Sequence, residues 1–429
     1  MRCAATPEGG LAVVRVLFLC HGHPALVPGG TEIVAHDLFR AMRERDGCAA
    51  LFVGCVSPLH RTGETGQRLQ ALGRSSDEML LWVGAFDGFM LAQTETAGFA
   101  EALSAVLLSF RPDVVHFHHL SRIGLEAVLL VRRVLPAARI VLTLHDYAAI
   151  CANEGLMRRG CGQLCRQASA DACHACLPDI PHTRHAARKR HLQAMLRHVD
   201  RFVAPSVFLR DRYVAWGLAA ERIAVIANGL PAAAPAPAAQ RPRITFGFFG
   251  NIAPHKGVLV ALDAARDLAA DGADFALRIH GGMNFQPQSF RDDVARAVAA
   301  AGPAVTWMGA YSRDELPALM TAVDWGLVPS VWWENAPLVI LEAFQHRRPV
   351  LCPRIGGMAE LVEEGQGGLH FRAGDARDLA RVMRRALSTR GLWRRLVKTL
   401  PDPSSLDQTL ERHLDLYSAL LRNEEAVSA

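Results

Sequence analysis

Residues 229–242 read Gly-Leu-Pro-Ala-Ala-Ala-Pro-Ala-Pro-Ala-Ala-Gln-Arg-Pro. Ala and Pro without an apolar period offer no face to bury, which is linker composition. On both sides of the linker the same rhythm runs. Short β-branched runs alternate with longer stretches rich in Ala, Leu and Arg. Upstream, strands are expected at 13–20, 49–56, 113–119, 139–146, 201–206 and 222–228, with helices over 31–45, 95–110, 123–134, 183–198 and 207–216. Downstream, strands are expected at 243–249, 275–280, 305–308, 325–330 and 349–353, with helices over 258–270, 289–301, 313–322, 338–345 and 376–387. Residues 57–94 carry no clear period. A final amphipathic stretch, 406–421, has no strand after it. Strand–helix alternation gives parallel sheets covered by helices. The expected fold is α/β, with two doubly wound, Rossmann-like domains facing a cleft. They would span 1–228 and 243–404 around the 229–242 linker, with 405–429 returning as a helix towards the first domain.

Composition agrees with this division. A chain of 429 residues is too long for one ordinary domain. Half of it is hydrophobic and 21% is charged, which excludes a disordered chain. No apolar run approaches the roughly 20 residues of a membrane span. The run 11–20 is interrupted by Arg15 and followed by His-Gly-His-Pro, so it reads as a first buried strand rather than an export signal. A net charge of +5 without a Lys/Arg block argues against a nucleic-acid partner. A cytoplasmic protein is expected. The Arg/His-rich helix 183–198 would suit peripheral contact with the anionic inner face of a membrane, or simply a solvated basic face.

In open α/β sheets ligands bind beyond the carboxyl ends of the strands, so the loops after strands carry the chemistry. Gly29-Gly30-Thr31-Glu32 follows the first strand and opens a helix. Two glycines there suit either an anion at the helix N-terminus or a tight turn. Phe249-Gly-Asn251-Ile-Ala-Pro-His-Lys256-Gly257 stands in the equivalent place downstream. The chain has only three lysines, so one between a strand end and a helix start is notable. It is a candidate to neutralise a phosphate oxygen. The third loop is Ser330-Val-Trp-Trp-Glu334-Asn335-Ala336-Pro-Leu338-Val-Ile-Leu-Glu342-Ala. Pro337 suits the first helical position, which puts Glu342 about one turn into the helix. Carboxylates amid Leu, Val, Ile and two Trp are costly to bury unless hydrogen-bonded, and ligand hydroxyls are good partners.

Together these residues resemble the family-4 glycosyltransferases of GT-B fold. Glu334 and Glu342 resemble the Glu-x7-Glu signature of the retaining members. Gly29-Gly30 resembles the family's N-terminal glycine loop, and Lys256-Gly257 its donor-domain Lys-Gly. Arg354-Ile-Gly-Gly357-Met-Ala-Glu360 resembles the Gly-Gly-x-x-Glu turn. The resemblance implies a nucleotide-diphosphate sugar as donor substrate, a glycan or lipid-linked acceptor, retention of anomeric configuration and no catalytic cofactor or metal. It implies that Glu342 holds the nucleotide ribose and Glu334 the transferred sugar. Asn335, Ala336 and Leu338 would approach the sugar and diphosphate, and Lys256 would neutralise the diphosphate. His145 would face the sugar from a strand end, with His118 and His119 crowding a neighbouring one and His116 further in. Asn251 departs from the pattern, standing where many members carry Arg; Arg354 is the candidate substitute. An epimerase-like relative and a non-catalytic nucleotide-sugar-binding scaffold are the alternatives.

Five of the ten cysteines fall at 151, 161, 165, 173 and 176, in a stretch without periodicity. A long structureless loop inside a compact domain needs something to order it. Cys173-His-Ala-Cys176 has the spacing of half a zinc site. A second pair would come from Cys151, Cys161 and Cys165, and free thiols are the plain alternative. The family resemblance favours Cys151 and Cys165, so a structural zinc ion is expected on Cys151, Cys165, Cys173 and Cys176.

Overall fold

The computed structural model describes residues 13–57, 60–61, 63, 66–73, 76–233 and 244–422. The expected linker falls largely outside the described residues. The chain divides into two compact units, Met1–Pro231 with Ser404–Ala429, and Ala232–Pro403.

Among the described residues the first unit holds an eight-stranded sheet. Its order is Ile223–Val225, Arg201–Ala204, Arg139–Thr143, Val114–His118, Val14–Cys20, Cys48–Val56, Glu78–Trp82, Leu69–Ala71. All pairs are parallel except the last, where Leu69–Ala71 runs antiparallel to Glu78–Trp82. These two strands lie in the stretch without a readable period. Leu69–Ala71 is a half-buried edge strand of three residues, too short to show one. The central strands are buried and largely apolar because both sheet faces are covered, with His116, His118 and Thr143 as buried polar exceptions.

The C-terminal helix Leu406–Leu421 belongs to this unit. Its N-cap Ser405 and Gln408 form a reciprocal capping box. Its buried stripe Leu410, Leu416 and Tyr417 packs with Val16, Phe18 and Leu38. Tyr417 Oη lies 2.6 Å from His116 Nδ1, tying the last helix to the middle of the sheet.

The second unit's sheet runs Val305–Gly309, Ala276–His280, Thr245–Phe249, Trp325–Leu327, Val350–Pro353, Gly367–Phe371, Glu363–Glu364, all parallel. Counted along the chain its order is 3-2-1-4-5-7-6; without the two-residue edge strand Glu363–Glu364 this is 3-2-1-4-5-6, the doubly wound Rossmann arrangement. The first unit follows the same scheme around Val14–Cys20 and Val114–His118. The winding direction reverses between the first and fifth strands of the first unit's sheet, and between the first and fourth of the second's. That switch point opens a crevice at the carboxyl edge of the sheet, where ligands bind.

Among the described residues no helix is long and apolar enough to cross a membrane. The basic helix His182–Leu196 is not a uniformly solvated face. Arg188 turns inward, 3% exposed, and donates to the carbonyls of Phe89 (2.5 Å), Ala149 (2.7 Å) and Ala148 (2.5 Å).

Candidate active site

At the switch point of the second unit two loops meet. One follows Thr245–Phe249 and carries Lys256. The other follows Trp325–Leu327 and carries Glu334. They are separated by 78 residues, yet Lys256 Nζ donates to Glu334 Oε1 at 2.7 Å. Ser330 Oγ donates to the same oxygen at 2.7 Å. Glu334 is 5% exposed, and its charge is compensated as a buried carboxylate requires. Burial pushes its carboxyl up, but the Lys256 ammonium and the Ser330 bond outweigh burial and hold it below the usual range. Lys256 Nζ also lies 5.4 Å from the Trp332 ring centroid, within cation–π range. The tryptophan pair signalled burial in the sequence, but its contact with the lysine was not legible there.

Backbone packing sets where these groups stand. Gly257 has φ +72°, and a Cβ on it would lie 1.9 Å from the Pro329 carbonyl oxygen. Only glycine lets the Lys256 loop approach the Glu334 loop so closely. Val331 N–H donates to His255 O at 2.9 Å and fastens the two loops. From the other side comes the turn after Val350–Pro353. Gly357 N–H donates to Glu334 O at 2.7 Å, and a Cβ on Gly357 would sit 1.4 Å from the Asn335 carbonyl oxygen. The glycine pair thus serves backbone-to-backbone contact under Glu334 and Asn335.

Helix Leu338–Gln345 starts immediately after, with Pro337 as its cap rather than its first residue. Asn335 is buried, and Asn335, Ala336 and Leu338 lead into the helix N-terminus, where the positive end of the dipole lies. Glu342 is half-buried one turn in and within electrostatic reach of Tyr311. Asn251 is exposed after Gly250, whose neighbour Ile252 is held by Gly282 O at 2.9 Å. Arg354 follows Val350–Pro353 on the same edge and is exposed.

The first unit's switch point is lined with histidines. Gly29 caps helix Gly30–Arg43 without a side-chain bond. Its smallness has a cause inside the unit. A Cβ on Gly29 would lie 2.4 Å from Glu32 Oε2, and one on Gly22 2.6 Å from Glu32 Oε1. Both glycines make room for the buried Glu32 carboxylate, which pairs with His21 Nε2 at 3.0 Å. The His21 ring lies 4.6 Å from that of His119, and His119 Nε2 meets Asp146 Oδ2 at 2.8 Å. Burial lowers the His119 pKa, but the Asp146 carboxylate more than offsets it, so His119 is raised overall. His145 Nε2 lies 3.0 Å from His118 Nδ1. Burial, then the nearby His118 and His119, hold His145 well below its ordinary value, so it is neutral at pH 7. His116 is fully buried between Tyr417 and Thr143. The sequence reading did not assign roles to His21, Glu32 and Asp146. The His-Gly-His and Gly-Gly-Thr-Glu segments carried the signal for His21 and Glu32, and the strand end at His145 that for Asp146.

Among the described residues one trio of potential metal ligands lies with all its ligand atoms within 4.8 Å: His23, His36 and Glu78. His23 Nδ1 accepts the Ala25 N–H at 3.2 Å, which leaves the proton on Nε2, facing Glu78 at 3.0 Å. The trio is complete as a hydrogen-bonded cluster. The cysteine segment places Cys151, Cys165, Cys173 and Cys176 on the wall of one cavity, with Cys161 exposed apart from it.

Two Rossmann-like units, each with its polar residues gathered at a switch point, define the class. Comparison with known proteins narrows it. Residues 28–233 match the family model described as Glycosyltransferase Family 4, and residues 243–389 match that described as Glycosyl transferases group 1. The glycogen synthase of Mycobacterium tuberculosis is 27% identical over 87% of this chain and 86% of its own length. The 2-deoxystreptamine glucosyltransferase of Streptomyces kanamyceticus is 36% identical, but over 33% of this chain and 35% of its own length. Sucrose-phosphate synthase of Thermosynechococcus elongatus superposes with TM-score 0.70 at 19% identity, covering 96% of this chain and 100% of its own. Anabaena HepE in complex with UDP and glucose superposes with TM-score 0.67 at 16% identity, covering 95% and 100%. The chain carries both domains of a GT-B glycosyltransferase.

Proposed function

We propose that this protein is a retaining glycosyltransferase that moves a sugar from a nucleotide-diphosphate donor to a hydroxyl of a glycan, lipid-linked or small-molecule acceptor. The observation that carries the reading is the Lys256–Glu334 pair at the second unit's switch point, beside the N-terminus of Leu338–Gln345.

Breaking the bond between the anomeric carbon and the diphosphate leaves both bonding electrons on the phosphate oxygen. Positive charge develops on the sugar ring and negative charge on the leaving group. Lys256 and the helix N-terminus would stabilise that leaving charge, which is larger in the transition state than in the ground state. Exposed Arg354 adds a second cation on the same edge, where Asn251 brings none. Glu334 would accept from the sugar hydroxyls, and Glu342 from the ribose hydroxyls. For retention, the acceptor oxygen bonds the anomeric carbon on the face the diphosphate leaves, and its proton passes to a leaving-phosphate oxygen. His145, neutral at the first unit's carboxyl edge, suits a contact with sugar hydroxyls.

Two results follow. Glu342→Ala is expected to raise the nucleoside-diphosphate dissociation constant about tenfold, roughly 1.4 kcal/mol, with kcat little changed. Calorimetric titration with kinetics checks this, and a fall in kcat at unchanged affinity would move Glu342 out of the ribose site. Activity is also expected to survive dialysis against EDTA, because a lysine occupies the diphosphate role. If added magnesium were needed to restore turnover, that part of the proposal would fall. Donor turnover with and without acceptor separates transfer from an epimerase-like reaction, and absence of turnover points to a scaffold.

A further inference from the structure

The cysteine segment leaves Arg139–Thr143 just after His145 and Asp146, and three of its turns converge. Cys151 N–H donates to Tyr147 O at 2.8 Å, closing a turn off the strand end. Residues 157–165 form a small hairpin. Cys165 N–H donates to Met157 O at 2.7 Å, Arg159 N–H to Gln163 O at 2.9 Å, and Arg158 bridges Leu164. That hairpin puts Cys161 at an exposed tip and Cys165 at the base. Helix Ala170–Cys176, N-capped by Ser169, carries Cys173 and Cys176 three residues apart on one face. Cys151, Cys165, Cys173 and Cys176 thereby line a single cavity, together with the apolar Met157 and Leu177. The fold itself separates four of the five thiols from the fifth.

A second observation is the buried Arg188. All three of its hydrogen bonds go to neutral carbonyls, two of them at Ala148 and Ala149, just before Cys151. Its guanidinium lies within electrostatic reach of Cys151 and Cys173. A buried cation calls for nearby negative charge. Asp87 supplies one such charge; neutral thiols add none, whereas metal-bound thiolates would add more.

We propose that Cys151, Cys165, Cys173 and Cys176 bind one zinc ion as a closed tetrahedral thiolate site, with Arg188 as its buried counter-charge. Soft thiolate ligands in a tetrahedral set select zinc. No three of the four sulfurs lie within 4.8 Å of one another, so closing the site requires them to move from the cavity wall to about 2.3 Å from the ion. Each thiol gives its proton to solvent as it binds, leaving a site of net charge about −2 beside the guanidinium. With no open coordination position the ion is structural. It fixes the loop that begins at the His119–Asp146 pair. This site stands independently of the proposed transfer reaction.

The test is zinc content per chain, by elemental analysis of full-length protein expressed with zinc and purified under reducing conditions. About one equivalent is expected. Cys161→Ser should keep it, while Cys173→Ser and Cys176→Ser should each fall below about a tenth of that value. Cobalt exchanged into the wild-type protein should give the intense thiolate-to-metal charge-transfer band of tetrahedral sulfur coordination, a readout that needs no variant. Zinc far below one equivalent with no cobalt band, retention of zinc in both serine variants, or a disulfide among the four cysteines would each overturn the site.

Discussion

Lys256→Ala and Glu334→Gln are each expected to lower donor turnover by at least about tenfold, or roughly 1.4 kcal/mol in the barrier. The two changes act differently on the same pair. Lys256→Ala removes the ammonium that would meet the leaving diphosphate and leaves the Glu334 carboxylate buried with neutral partners such as Ser330 and no cation beside it. The carboxyl would then rise, since burial is the largest influence on it and the offsetting ammonium is gone. Glu334→Gln keeps the shape and a hydrogen-bond acceptor but removes the charge that orients Lys256. Turnover should fall in both variants, with the protein folded by circular dichroism. Kinetics close to wild type in both would remove the pair from the site.

Gly357→Ala is expected to do more damage. The new methyl would lie 1.4 Å from the Asn335 carbonyl oxygen, a main-chain atom that no rotamer change moves aside. The turn must back away from Glu334 and Asn335 and give up the 2.7 Å bond from Gly357 N–H to Glu334 O. Overpacking of this kind costs about 1–3 kcal/mol or more in stability. Displacing a positioned group by about 1 Å costs on the order of a hundredfold in rate. Both the melting temperature and turnover should therefore fall. Gly88→Ala is the control, because a methyl there meets nothing within 4 Å. Equal behaviour of the two variants would show that the close approach does not govern the site.

The alternation of strands and helices was legible because it rests on local apolar runs, and it located the loops that follow the strands. Lys256 and Glu334 stood out individually, one by rarity and one by its apolar setting. Their direct contact was not readable, since it depends on strand order bringing together residues 78 apart. The glycines show a related limit. Gly29 read as either an anion site or a tight turn, and in the fold it gives space to Glu32. Arg188 read as part of a basic surface because sequence does not say which way a helix faces when its polar and apolar residues are poorly segregated. Its inward turn became visible only with the carbonyls it bonds.

The central claim is that this chain uses Lys256 and Glu334 to transfer a sugar from a nucleotide-diphosphate donor with retention. Proton NMR of the protein incubated with individual nucleotide-diphosphate sugars, with and without candidate acceptors, tests it most directly. The account predicts release of the nucleoside diphosphate and a first-formed sugar product whose anomeric configuration matches the donor, both much slowed in Lys256→Ala. Donors left intact under every condition, a first product of inverted configuration, or undiminished release by Lys256→Ala would contradict it.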